Sequence, residues 1–170
     1  GRSYDLTKWV VHHAMRQLRN WRDSLDIGLA VNVAANLAGD PDLPALLHDA
    51  MAIWGINPAS VTVELTERAI IEDKQSGFDN LLKLKEMGIT ISIDDFGTGY
   101  SSLSYLQQMP FDVIKIDKSF IDEIGKGAAS DNICRTIIRM AEELGKKSIA
   151  EGVETQEQLD FLRDNECDVA

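Results

Sequence analysis

Polar residues recur where the β-rich segments of this 170-residue chain end: Asn32, Glu64, the adjacent pair Asp94 and Asp95, Lys115, and Glu151. Asn32 and Glu64 are 32 residues apart, Glu64 and Asp94 are 30, Asp94 and Lys115 are 21, and Lys115 and Glu151 are 36. Each step is about one strand–helix unit, so in a barrel these side chains converge on one rim. Oxygen donors without histidine or cysteine suit a hard cation, Mg2+, Mn2+ or Ca2+, rather than zinc. Adjacent carboxylates repel each other, but the pair can serve two cations, one aspartate bridging both ions and the other belonging to the second. Two metals ~3.5–4 Å apart activate water for in-line attack on a phosphate ester. A lysine beside them stabilises the anionic transition state or orients that water.

A lone acid at a strand end is ordinarily the first polar residue of a loop; five such positions in register point to a site. Gly97 and Gly99, after the aspartates in "IDDFGTGYSSLSYL" (93–106), suit a turn. Asp95–Phe96–Gly97 also matches a short kinase motif, but neither a glycine-rich loop nor a His-Arg-Asp segment accompanies it. His12, His13 and His48 fall in helical patterns away from the strand ends and read as surface or packing residues.

The positioning elements alternate. "IGLAVNV" (27–33), "SVTVEL" (60–65), "GITISIDD" (88–95), "FDVIKID" (111–117) and "KSIAEGV" (147–153) are rich in Val, Ile and Thr and read as strands. Residues 5–21 place Leu6, Trp9, Val10, Ala14, Leu18 and Trp21 on one helical stripe. Further helices are expected to stop at Gly55, Gly88 and Gly145, with Ser130 capping the one that ends at Gly145 and a capping box at Thr155 and Gln158. Strand–helix alternation means a parallel sheet with helical cover. Within the strands, Val31, Val33, Val61, Val63, Ile91, Ile93, Ile114 and Ile116 face one way. Ala30, Asn32, Thr62, Glu64, Ser92, Asp94, Lys115 and Asp117 face the other, and the register of Glu151 stays open. Small residues ending in a polar one fit a barrel interior with a site at its top. The expected class is therefore α/β, a TIM-like (β/α) barrel, with a flavodoxin-like open sheet as the alternative. Five strands do not close a barrel of eight, so an incomplete barrel or an open variant is expected.

The length suits one domain, residues 1–170, that can bury roughly 68–70% of its unfolded surface. A net charge of −11 argues against a general DNA- or RNA-binding face. It leaves room for a small anionic ligand, provided metal ions neutralise the local field of the protein. Cys134 and Cys167 lack metal-type spacing and read as reduced thiols of a cytoplasmic protein. No apolar run approaches the ~18 residues of a membrane span.

"ELTE" (64–67), "DDFGTGYSSLSYL" (94–106), "IKIDKSFI" (114–121) and "AEGVET" (150–155), in this order and spacing, resemble the EAL-domain family of bacterial cyclic di-GMP phosphodiesterases, which are TIM-like barrels. "VNVAANL" (31–37) is a looser match, with Ala34 and Ala35 where the family usually has serine and arginine. The resemblance implies Asn32, Glu64, Asp94 and Glu151 as ligands of one Mg2+ or Mn2+, with Asp94 and Asp95 serving a second. It implies Lys115 at the attacking water, Glu151 also as general base, and Glu67 as support for the 95–104 loop, often the dimer face. Asp117 and Glu154 match motif positions without a settled role. The implied reaction cuts one phosphodiester bond to give linear pGpG. A homodimer through the 95–104 loop, and sensory or GGDEF-type domains elsewhere in a larger, even membrane-bound, protein accord with the family.

The Glu-Ala-Leu tripeptide that names the family does not occur in the 170 residues. By resemblance they correspond to the middle of a domain of ~250 residues, without its first two strands and its closing strand. Two readings follow: a metal-dependent phosphodiesterase, or a module that binds cyclic di-GMP without cleaving it. An enolase-like lyase would share the charge pattern alone, not the motifs. Unpaired sheet edges near 28–33 and 148–153 are expected to make the isolated chain associate, and being one ligand short is expected to make it bind metal weakly and lack turnover.

Overall fold

In the computed structural model, which describes residues 2–67, 69, 74–97 and 103–170, the strands follow chain order across the sheet, β1-β2-β3-β4-β5. They are β1 (Leu29–Asn32), β2 (Val61–Thr66), β3 (Thr90–Phe96), β4 (Val113–Ile116) and β5 (Lys147–Ala150). A flavodoxin-like sheet reverses its strand order at a switch point. This order does not reverse, so the α/β fold is of the (β/α)-barrel type, with a sheet that stays open among the described residues. The chain forms two compact units, Gly1–Ile91 and Ser92–Ala170.

In the first unit β1 and β2 run parallel in the register Leu29–Val61 to Asn32–Glu64. Strand β2 alternates strictly between buried and half-buried residues, with Val61, Val63 and Leu65 buried as the period of two requires. Helix α1 (Arg2–Trp21) packs on α3 (Leu43–Trp54), with the shorter α2 (Ala35–Ala38) between them in sequence. The expected apolar stripe of α1 is corrected here. Val11, Met15 and Leu18 form its buried face, whereas Leu6, Trp9, Val10 and Trp21 are exposed. The packing partner, not the count of apolar side chains, selects the face. Full burial of Met15 and Leu47 contributes about 1.5–3 kcal/mol each. Helix α4 (Lys74–Glu86) fastens the chain beyond β1, because the buried Asn80 amide donates to the carbonyls of Ala38 (2.9 Å) and Asp40 (2.8 Å).

In the second unit β4 pairs in parallel with β3 and with β5. Helices α5 (Leu103–Gln108), α6 (Lys118–Ile121), α7 (Ala128–Glu143) and α8 (Gln156–Asp164) follow in chain order. Helix α7 starts at Ala128 after a Gly127 cap that lacks a side-chain bond, so Ser130 lies inside the helix rather than at its cap. The box at Thr155 and Gln158 forms as expected. Gly55, Gly88 and Gly145 follow helices at φ of 61°, 87° and 65°. The expected open edge at 148–153 is covered in part, over 148–150. Val169 N donates to Ser148 O (3.1 Å), Ala150 N donates to Val169 O (2.9 Å), and the Asp168 carboxylate accepts from Ser148 N (2.8 Å). The backbone groups of β5 are thereby partly satisfied.

Candidate active site

A β-bulge shapes the acidic end of β3. Ile93 aligns with Ile114 and Phe96 with Ile116, so three steps along β3 match two along β4. A regular strand would send Asp94 and Asp95 to opposite faces. The extra residue re-aims one of them, as bulges beside functional sites do. Asp95 takes the left-handed conformation, φ 53°, which aspartate tolerates better than most residues, and its N–H donates to Asp94 Oδ1 at 3.1 Å.

Lys115, on β4, joins the neighbouring strand ends. Its ammonium lies 3.2 Å from Asp94 Oδ1 and 2.7 Å from Glu151 Oε1, in a setting where the lysine side chain is only 12% exposed. Glu151 is held by its own backbone as well, since its N–H donates to Ile116 O at 3.3 Å. That fixes the strand end whose register the sequence leaves open. Asp95 is hydrogen-bonded to the Asp117 carboxyl. Partial burial, then the charges of Asp94, Asp117 and Glu151, push the Asp95 carboxyl above the usual carboxylate range. Hydrogen bonds from Ser119 hold Asp117 below that range. Four of the expected residues, Asp94, Asp95, Lys115 and Glu151, therefore meet within the second unit.

In the first unit Asn32 and Glu64 are register partners, side by side at the ends of β1 and β2, and Val33 N donates to Glu64 O at 2.9 Å. Glu67 is buried one residue past β2. The 95–104 loop that it is expected to support includes residues 98–102, Gly99 among them, which lie outside the described residues. The histidines stay with the helices: His12 faces the Trp54 indole (3.3 Å), His13 stacks on Trp9, and His48 lies beside Asp49.

The donors fit a hard divalent cation by their chemistry. All are oxygens, and the negative charge crowding Asp95 is what a cation relieves. Among the described residues no three acidic, histidine or cysteine side chains close into a metal cage. Asp94 and Glu151 turn to the Lys115 ammonium instead.

The family model for the EAL domain matches residues 1–170, the whole chain. The chain belongs to the EAL-domain family. This EAL chain is 39% identical over 166 residues to the cyclic di-GMP phosphodiesterase NbdA of Pseudomonas aeruginosa, covering 96% of the chain and 21% of NbdA. It is similar to a solved complex of the PaMucR phosphodiesterase with c-di-GMP (TM-score 0.91, 36% identity, 96% of this chain and 67% of that one). It is also similar to Klebsiella pneumoniae BlrP1 in a manganese and cyclic di-GMP complex (TM-score 0.86, 30% identity, 96% and 42%). The EAL chain spans about a fifth of the length of the curated relatives it matches.

Proposed function

We propose that this EAL chain is part of one EAL domain that hydrolyses cyclic di-GMP to linear pGpG in bacterial second-messenger signalling. The observation that carries the reading is the Lys115 ammonium set between Asp94 and Glu151, at 3.2 and 2.7 Å. Carboxylates and a lysine at successive strand ends suit water attack on a phosphate ester. The names of NbdA and PaMucR support the same substrate.

Asn32, Glu64, Asp94 and Glu151 would hold one Mg2+ or Mn2+, and Asp94 with Asp95 a second; bound there, the ions supply Lewis acidity toward the phosphoryl oxygens and lower the pKa of water. Glu151 takes a proton from the attacking water, and Lys115 orients that water and offsets the charge that builds on the phosphoryl oxygens. The water oxygen bonds to phosphorus as the P–O3′ bond breaks, and the leaving 3′-oxygen gains a proton, so the product keeps its 5′-phosphate. Glu67 supports the 95–104 loop, and that loop forms the face of a homodimer. The reading places the domain in the cytoplasm, joined to sensory or GGDEF-type domains. No described helix is long and apolar enough to cross a membrane.

A second reading, a cyclic di-GMP receptor without turnover, rests on the altered segment at Ala34 and Ala35. Ala34 stands at the N-cap of α2 and supplies no side-chain hydrogen bond. A serine hydroxyl at that place could cap the helix. Chromatography of cyclic di-GMP after incubation with Mn2+ or Mg2+, alongside calorimetric binding, separates the two. Formation of pGpG supports the enzyme, binding without pGpG supports the receptor, and the absence of both turnover and binding overturns both readings.

A further inference from the structure

The single turn after β4 touches Gly97, just past the acidic end of β3, and Gly152, next to Glu151. Asp117 caps α6, accepting from Ser119 N at 2.9 Å and from the Ser119 hydroxyl. The cap fixes the direction in which the next side chain, Lys118, leaves the backbone. The Lys118 stem lies against Gly152: a Cβ added there would stand 2.6 Å from Lys118 Cδ and 2.7 Å from Cγ. Gly152 also has φ +72°, so glycine is required there on both counts. The Lys118 ammonium then pairs with Glu154. That pair raises the Lys118 pKa and lowers that of Glu154. Toward the other loop, the Phe120 ring closes on Gly97, where a Cβ would meet Cε2 at 2.8 Å.

An exposed ion pair by itself contributes little to stability. Here the pair closes over a glycine one residue from Glu151, whose carboxylate must meet Lys115. We infer that Lys118 is a positioning residue for Glu151, clamping residues 151–154 onto the turn through its stem on Gly152 and its pair with Glu154. The inference rests on the reading of Glu151 as part of the catalytic set, and Lys118 acts through the loop rather than on the reacting atoms.

Two amides report on the clamp: Glu151 N, bonded to Ile116 O, and Glu154 N, which donates to Gln158 Oε1 at 2.8 Å. In Lys118→Ala both should exchange hydrogen about tenfold faster, with Ile149 in β5 unchanged, because a local opening is made easier. Turnover, where present, should lose about tenfold in kcat with KM nearly constant. Lys118→Arg and the charge swap Lys118→Glu with Glu154→Lys should restore protection. Unchanged exchange at Glu151 and Glu154 in Lys118→Ala would overturn the clamp, as would a loss that the swap fails to recover. The exchange result decides this with or without turnover. Absent turnover in the unaltered protein counts against the catalytic reading of Glu151, not against the clamp.

Discussion

The Lys115 ammonium bridges Asp94 and Glu151, residues 57 positions apart in the chain that two strand ends bring to one cation. Lys115→Met keeps much of the side-chain volume and removes the charge. It should lower kcat on the order of 10²-fold or more, the scale of losing one positioned electrostatic stabiliser. Separate measurement of kcat and KM checks this, and a change confined to KM would assign Lys115 to substrate binding alone.

Asp95 holds a positive φ that glycine adopts more readily, and it is crowded by charge. In metal-free protein, Asp95→Gly should therefore raise stability by about 1 kcal/mol, since glycine adopts positive φ freely, while removing activity. Urea unfolding reads the first effect and a turnover assay the second. Lower stability in Asp95→Gly would contradict this reading of the positive φ.

The carboxyls of Asp95 and Asp117 make opposite predictions about pH. The Asp95 pKa is raised, so its contribution to stability is complete below the unfolded value of about 3.9 and is lost as pH rises through the folded pKa. The Asp117 pKa is lowered, so its contribution is present above that unfolded value and is lost as pH falls through the folded pKa. Asp95→Asn should remove part of the loss on the alkaline side, and Asp117→Asn part of the loss on the acid side. Urea midpoints of metal-free protein across the acid range test both signs.

Burial pushes the Cys134 thiol up to about 12, and its side chain is inaccessible. At neutral pH it should resist iodoacetamide, because the thiolate is the reactive form. Cys167, half-buried and also raised, should be alkylated first. Mass spectrometry of native and denatured protein reads the order. Early labelling of Cys134 would mean that α7 opens readily.

Much of this fold is legible in period-two alternation, as in Val61, Val63 and Leu65 against Thr62 and Glu64, and in turn chemistry such as Thr155 with Gln158. The face of α1 is not legible, because Leu6, Trp9 and Val10 are as apolar as the buried Val11 and Met15; only the position of α3 chooses between them. At the site, residue types and spacing point to Asp94, Asp95, Lys115 and Glu151. The bulge that lets adjacent aspartates share it is hidden, since φ 53° at Asp95 leaves only a weak trace, an aspartate followed within two residues by glycine. The contact of Lys118 with Gly152 is hidden for another reason: its partners are 34 residues apart, and only the fold sets the stem against the loop.

Asp94 and Asp95 are proposed as carboxylate ligands for hydrolysis of cyclic di-GMP. The most direct measurement is conversion of cyclic di-GMP to pGpG in Mn2+ or Mg2+ by the EAL protein, compared with its Asp94→Asn and Asp95→Asn variants. An amide is a poorer ligand than a carboxylate for a hard cation, so each variant should lose turnover while remaining folded. Retained activity in both variants at ordinary Mg2+ would contradict the two-metal account.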